Sequence, residues 1–335
     1  MYTRRWATGA ITAVALAAAA AGCGSSSSKT GSAAGGTSSG SASSGGKHYN
    51  MTLVAGVKGD EFYITMNCGA QAAAKKLNVS LTFAGPDMFD PSQQTPVLNA
   101  VSARSPNAIL IAPTDVQAMQ APIQQAAANS KIVLVDTTLK DPSVAVSQVH
   151  SNNILGGVIA GQTLLKLIGN KGKVFVMNVK PGISTTDQRQ QGFEQAVKGK
   201  SGVTYVGAQY DNDDPAQAAS IVSAVLQRHP DLAGIFATNL FSAEGAATAL
   251  QQAGKLGKVK IVGFDAGPKQ VADLQKGLTQ ALVAQEPAVI GADGVQQAVN
   301  ALSGKPVTKV INTGYNVITK QNLPKKQSAV YKAHC

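Results

Sequence analysis

Residues 108–137, AILIAPTDVQAMQAPIQQAAANSKIVLVDT, carry the reading that decides the fold. Ile109-Leu110-Ile111 and Ile132-Val133-Leu134-Val135 are unbroken apolar runs of strand length, and Val174-Phe175-Val176 repeats the pattern further on. A strand with one wet face alternates apolar and polar residues. An unbroken run instead marks a strand covered on both faces, as in a parallel sheet sandwiched by helices. Between the first two runs lies Val116 to Asn129, Ala- and Gln-rich and of helix length, so the unit is strand, helix, strand.

Outward from this unit the same alternation continues. Strands are predicted at Thr52 to Val57, Ser80 to Phe83, Ala108 to Ala112, Ile132 to Val135, Lys173 to Met177, Thr204 to Val206, Gly234 to Ala237, Val259 to Phe264 and Gln280 to Ala284. Helices are predicted at Asn67 to Leu77, Pro91 to Ala103, Val116 to Asn129, Gln188 to Val197, Pro215 to Arg228 and Ser242 to Gln252. Asp214 before Pro215 is a helix start, and Gly254 a helix stop. The fold class is α/β with parallel sheets, and two doubly wound units fit the length.

The first fifty residues have another character. Arg4 and Arg5, an apolar run from Trp6 to Ala21 and the small residues before Cys23 read as an export signal over 1–22. The apolar run is short of the ~20 residues of a spanning helix. Ala20-Ala21-Gly22-Cys23 resembles the lipobox of bacterial lipoproteins, so Cys23 is expected to be acylated and to anchor the chain to the membrane, although the usual Leu three residues before the Cys is absent. The alternative is an ordinary cleavage site, and the export route, general or twin-arginine, stays open. From Gly24 to Gly46 the chain is nearly all Ser, Gly, Ala and Thr. It cannot bury enough apolar surface to offset its ordering entropy, so 23–47 reads as a tether.

The formal charge is +11, two fewer once Arg4 and Arg5 leave. The lysines are scattered, with Lys75-Lys76 and Lys325-Lys326 the only pairs beyond the signal, so nucleic acid is not an expected partner. Cys68 and Cys335 remain as an even pair in an exported chain, and a disulfide between them is expected against the alternative of two free thiols.

In open parallel sheets, ligands bind beyond the carboxyl ends of the strands. There this chain places Lys58 to Tyr63, Asp136 and Thr137, Asn178 to Arg189, Thr238 and Asn239, Asp265, and Gln285. Carboxylate, carboxamide and guanidinium groups match ring hydroxyls, and aromatic faces cover the apolar side of a sugar. Each residue also has a plainer reading. Phe62 and Tyr63 could fill the core, Asn239 and Asp265 could cap helices, and Arg189 could be a solvated surface charge. The Asp211-Asn212-Asp213-Asp214 run lacks the Gly and terminal Glu of a calcium loop and reads as a turn and helix cap.

The segments VKGDEFYITMNCGAQAAAKKLNV (57–79), SNNILGG (151–157), GISTTDQRQQGF (182–193), GIFATN (234–239) and VGFDAG (262–267) together resemble the ribose-type periplasmic binding family, from about Tyr49 to about Val317. The resemblance implies two Rossmann-like domains joined by three crossovers. These domains are 48–152 plus 286–313, and 153–285, with the tail 314–335 docked on the first. It implies a ligand set of Asp60, Phe62, Tyr63 and Asp136 from the first domain, Arg189, Asn239 and Asp265 from the second, and Gln285 at the hinge. Lys58, Thr137 and Asp187 are further candidates. The implied function is an extracytoplasmic, monomeric binding component that hands a pentose, hexose or sugar alcohol to an ABC permease. Thr137 stands where many ribose binders carry Arg, and Glu61 replaces a frequent Pro, so ribose itself is not assigned. Lys58, Thr186-Asp187-Gln188 and Gly85-Pro86 are similar to autoinducer-2 binders, an alternative from which Asn239 and Leu240 depart. Sensing for a membrane receptor is a further alternative.

An enzyme is not expected. The chain has no GxSxG, P-loop, GxGxxG or HExxH motif and no metal-spaced Cys/His set, so no cofactor or metal is called for. No helix-turn-helix precedes the fold.

Overall fold

The computed structural model describes residues 47–335, and the expected signal, tether and acylated Cys23 lie outside the described residues. In chain order the elements are β1 (Tyr49–Val54), α1 (Glu61–Lys76), β2 (Val79–Ala84), α2 (Pro91–Ser102), β3 (Ala108–Ile111), α3 (Gln120–Ala126), β4 (Lys131–Val135), β5 (Ser147–Ser151), α4 (Asn153–Leu167), β6 (Gly172–Asn178), α5 (Ser184–Val197), β7 (Val203–Tyr210), α6 (Pro215–Arg228), β8 (Leu232–Ala237), α7 (Leu240–Gln252), β9 (Lys260–Phe264), α8 (Pro268–Lys276), β10 (Ala281–Ala284), α9 (Pro287–Leu302), β11 (Val310–Thr313) and β12 (Asn316–Ile318). They build two six-stranded sheets, β11-β5-β4-β3-β1-β2 and β12-β10-β9-β8-β6-β7. Every pairing is parallel except β10 with β12. The chain passes between the sheets three times, from β5 to α4, from β10 to α9, and from β11 to β12.

The apolar runs that signalled the fold are buried on both faces. Ile109, Ile111, Ile132 and Leu134 point to one side, where Leu98, Met119 and Ile123 cover them. Leu110, Val133 and Val135 point to the other, against Met66, Ile290 and Val295. Each such side chain contributes about 1.5–3 kcal/mol through the apolar surface it removes from water. The second sheet repeats the plan. There Phe175, Met177 and Ile235 face the α6 and α7 side, while Val174, Val176 and Phe236 face α4 and α5.

Local chemistry sets the boundaries. Asp214 accepts the Ala216 and Gln217 amides at the start of α6, with Pro215 at its first position. Gly254 takes φ 62° just beyond α7, in the left-handed region that favours glycine. Helix α1 begins earlier than its Ala-rich stretch suggested, because Asp60 caps it through the Phe62 amide. Among the described residues no helix is long and apolar enough to cross a membrane.

The tail adds β12 to the second sheet, runs past Asp265, and reaches α1 on the first sheet's side at its end. There the Cys335 and Cys68 sulfurs lie 2.10 Å apart, with Cα atoms 5.3 Å apart.

Candidate functional site

The strand ends of both sheets face one cavity. Its walls include Asp60, Phe62, Tyr63, Phe89 and Asp136 from the first sheet's side, and Thr185, Thr186, Arg189, Asp213, Asn239, Asp265 and Gln285 from the second sheet's side. The two sides meet across it. The Val116 amide donates to the Gly182 carbonyl at 3.0 Å, the Thr138 amide to Ser184 Oγ at 3.0 Å, and Lys180 Nζ to the Phe89 carbonyl at 2.9 Å. The arrangement is closed.

Asp136 and Asp265 are the first residues after β4 and β9, and both are held with positive φ, 62° and 74°. Few L-residues tolerate that region, and Asp is one that does, so the strain is held where the side chains must turn into the cavity. Tyr63 donates its hydroxyl to Asp136 Oδ2 at 2.7 Å. Gln285 Nε2 and the Tyr331 hydroxyl donate to Asp265 Oδ1 at 2.7 and 3.0 Å. Asn239 caps α7 through the Ser242 amide and donates Nδ2 to Asp213. Capping and cavity lining are therefore compatible in Asn239, as they are in Asp60.

Arg189 is 3% exposed, so the surface-charge reading fails. Its Nε donates to Asn153 Oδ1 and its Nη1 to the Thr238 carbonyl, both at 2.9 Å, and its guanidinium lies 3.9 Å from the Phe264 ring centre. Helices α4 and α5 must approach closely to seat it. Gly157 and Gly192 permit this, since a Cβ on the first would collide with the Arg189 carbonyl and on the second with the Ile154 carbonyl.

Four carboxyls and one guanidinium share this space, and burial governs their ionisation. Desolvation pushes Asp136 up to about 6, held back by the Arg189 charge and the Tyr63 hydrogen bond. Asp213 is pushed up to about 7, chiefly by burial, against the Asn239 hydrogen bond. Asp60 is raised by burial and then by the charges of Asp265 and Asp213, and Asp265 is raised by burial against the opposing pull of Arg189.

Eight sequence candidates, Asp60, Phe62, Tyr63, Asp136, Arg189, Asn239, Asp265 and Gln285, are brought together at the cavity wall. Three are not. Lys58 pairs with Asp87 at 2.8 Å on the surface, Thr137 donates its hydroxyl to the Pro113 carbonyl, and Asp187 accepts the Gly182 amide and fixes the loop before α5. Sequence reasoning missed Phe89 and Asp213 as lining groups, and it reached Thr185 and Thr186 only as part of the stretch from Asn178 to Arg189. Asp213 corrects the reading of the acidic run, because Asp214 is the helix cap while Asp213, at φ 65°, turns inward. Asn153, the Arg189 partner, lay in the quoted SNNILGG segment without a role. Among the described residues, no group of three or more His, Cys, Asp or Glu could hold a metal ion.

The periplasmic binding protein domain model matches residues 51–306. The ribose import binding protein RbsB of Escherichia coli strain K12 is 31% identical over 272 residues, 81% of this chain and 90% of that protein. The chain belongs to the ribose-type periplasmic binding proteins. An ABC transporter solute binding protein from Agrobacterium vitis, solved with bound α-D-tagatopyranose, is 43% identical with a TM-score of 0.83, covering 85% of this chain and 99% of that one. A carbohydrate transporter solute binding protein from Agrobacterium radiobacter, in complex with D-arabinose, is 27% identical with a TM-score of 0.80, covering 84% and 99%. These family members are transport binding proteins of the periplasmic type rather than enzymes. Membership accounts for the three crossovers and for a cavity set between two sheets.

Proposed function

We propose that this chain binds a small neutral sugar or sugar alcohol between its two sheets and delivers it to an ABC permease. The observation that carries the reading is the imbalance of hydrogen-bonding groups around the cavity. Asp60, Asp136 and Asp213 each have one oxygen occupied, by the Phe62 amide, the Tyr63 hydroxyl and Asn239 Nδ2 respectively, and Gln285 Oε1 is buried without a partner. Once these carboxyls are ionised, the wall offers against them chiefly the remaining Arg189 nitrogen and the unpartnered Thr186 hydroxyl as donors. A ligand that fits must bring donors, which a polyhydroxylated ring does. Anionic sugars would add charge to a carboxylate-rich wall and are disfavoured. Phe62, Tyr63 and Phe89 supply apolar surface for the C–H face.

Asp60, Phe62, Tyr63, Asp136, Arg189, Asn239, Asp265 and Gln285 are the ligand-contacting set in this reading, joined by Asp213. The two lobes are 48–152 with 286–313, and 153–285. Closure around the ligand gives the permease a shape it can distinguish from the open form. The sugars bound by the tagatose and arabinose relatives support a pentose or hexose. Of the segments similar to autoinducer-2 binders, Lys58 pairs with Asp87 away from the cavity wall, whereas Thr186 lines it. We further infer that Cys23 carries a lipid, that residues 24–46 tether the monomeric domain to the membrane, and that Cys68 and Cys335 form a disulfide in the exported protein.

A thermal-shift panel of pentoses, ketohexoses, aldohexoses and alditols on protein stripped of ligand tests the function. Stabilisation by one or more sugars is expected. No response to any of them would reject it.

A further inference from the structure

The last seventeen residues make contacts on both lobes that the binding reading does not require. Residues Lys332 and Tyr331 are neighbours in sequence but belong to opposite lobes by their contacts. The Tyr331 amide donates to the Ala266 carbonyl, beyond β9, at 2.9 Å. The Lys332 amide donates to Thr65 Oγ1, on α1, at 2.7 Å. Upstream the segment is anchored by β12 in the second sheet, and downstream by Cys335 beside Cys68 on α1. It is thus a fourth tie between the lobes, beyond the three crossovers.

Tyr331 itself is 4% exposed and stands at the junction of three parts of the site. Its hydroxyl accepts the Gln285 amide at 2.9 Å, at the second crossover, and donates to Asp265 Oδ1 at 3.0 Å. Its ring meets that of Phe62 edge-on, with centroids 5.9 Å apart. One side chain therefore contacts the acid of one lobe, the hinge backbone and an aromatic of the other lobe, without itself lining the cavity.

We propose that Tyr331 is a positioning residue that orients Asp265 and Gln285 for the ligand and fixes the pivot about which the lobes close. The link to ligand capture rests on the sugar-binding reading, whereas the link to Asp265 does not. Donation to a carboxylate favours its ionised form, so the Tyr331 hydroxyl works against the burial that raises Asp265. Asp265 is also faced by Arg189, Asp60, Asp136, Asp213 and Tyr315, none of which Tyr331→Phe alters.

The test compares wild type, Tyr331→Phe and the Cys68→Ser/Cys335→Ser pair. In ligand-free protein, the Asp265 carboxyl is followed by carbon-13 NMR over pH, with its resonance assigned by its loss in Asp265→Asn. Tyr331→Phe, which keeps the ring on Phe62, is expected to move the Asp265 titration upward. An unmoved titration overturns the proposal, whether or not any sugar binds. Calorimetry with D-tagatose, or with whichever sugar the panel identifies, is expected to show affinity weakened about tenfold in Tyr331→Phe, the scale of one hydrogen bond to a charged group. Affinity equal to wild type overturns the positioning role. The double serine variant, which frees the end of the segment but keeps the hydroxyl, is expected to weaken binding less than Tyr331→Phe. A larger loss would assign the effect to the covalent tie and overturn the role given to the hydroxyl. A wild type that binds no sugar while Tyr331→Phe moves the Asp265 titration would reject the sugar reading alone.

Discussion

Asp136 and Asp265 occupy equivalent places in the two sheets. Each directly follows the third strand in its sheet order, each holds a positive φ, and each amide donates to the neighbouring strand's carbonyl, that of Val149 or Val283, at 2.9 Å. The two lobes thus present one acid apiece to the cavity from matching corners. Replacing Asp265 by Asn keeps the shape and tolerates the left-handed backbone but removes the charge. Sugar affinity is expected to fall by ten- to a hundredfold or more, as for loss of a hydrogen bond to a charged group, with an unchanged circular-dichroism spectrum. Undiminished calorimetric affinity would remove Asp265 from the ligand set.

Binding should release protons near neutral pH. Asp136 and Asp213 titrate near 6 and 7 because burial disfavours their charged forms. Hydroxyls that donate to them favour ionisation, so the ligand lowers both values. Calorimetry at pH 6.5 in buffers of different ionisation enthalpy is expected to show net proton release on sugar binding. Proton uptake would contradict the donor geometry.

The same groups tie stability to pH. Asp136 and Asp213, together with Asp211, which is fully buried in the same acidic run as Asp213, stand near 6, 7 and 7 when folded, above the ordinary carboxylate value of about 4. Between those values the folded chain holds more protons than the unfolded one, so stability falls as pH rises through this window. Ligand-free protein is expected to melt higher at pH 5.5 than at pH 8, and Asp213→Asn should narrow the gap. A melting temperature that rises over this range, with Asp213→Asn making no difference, would show these carboxyls are not buried as described.

Gly157 offers a test of how Arg189 is seated. A methyl group there meets the Arg189 carbonyl, and relief requires α4 and α5 to separate. Gly157→Ala is expected to cost about 1–3 kcal/mol in stability, as overpacking does, and to weaken sugar binding through a displaced guanidinium. Denaturant unfolding and calorimetry on the same sample check both parts.

Much of this architecture was legible in the chain, and the remainder was hidden for identifiable reasons. Ile109 to Ile111 and Ile132 to Val135 announced covered parallel strands because both faces bury apolar surface. Asp136, Asp265 and Gln285 could be singled out because strand ends are where such sheets bind ligands. Strand β5, SQVHS, alternates buried and half-buried residues, and β11 lies mostly exposed at a sheet edge, so neither carries the apolar run that marked the others. Asp213 turns inward through two consecutive positive-φ residues, Asn212 and Asp213, a loop conformation that residue type alone leaves open. Phe89 lies in the loop after β2, a strand-end position where an aromatic carries no polar signal, and Tyr331 reaches Asp265 from a tail segment far from any strand end, where only the three-dimensional path reveals it.

The central claim is that an acceptor-rich cavity selects a neutral, hydroxyl-donating ligand, and a matched pair differing at one carbon tests it most directly. Calorimetry would compare the sugar that stabilises the protein most with its uronate, in which the terminal CH₂OH is a carboxylate. The neutral sugar is expected to bind and the uronate to bind at least a hundredfold more weakly. Equal or tighter binding of the uronate would contradict the account.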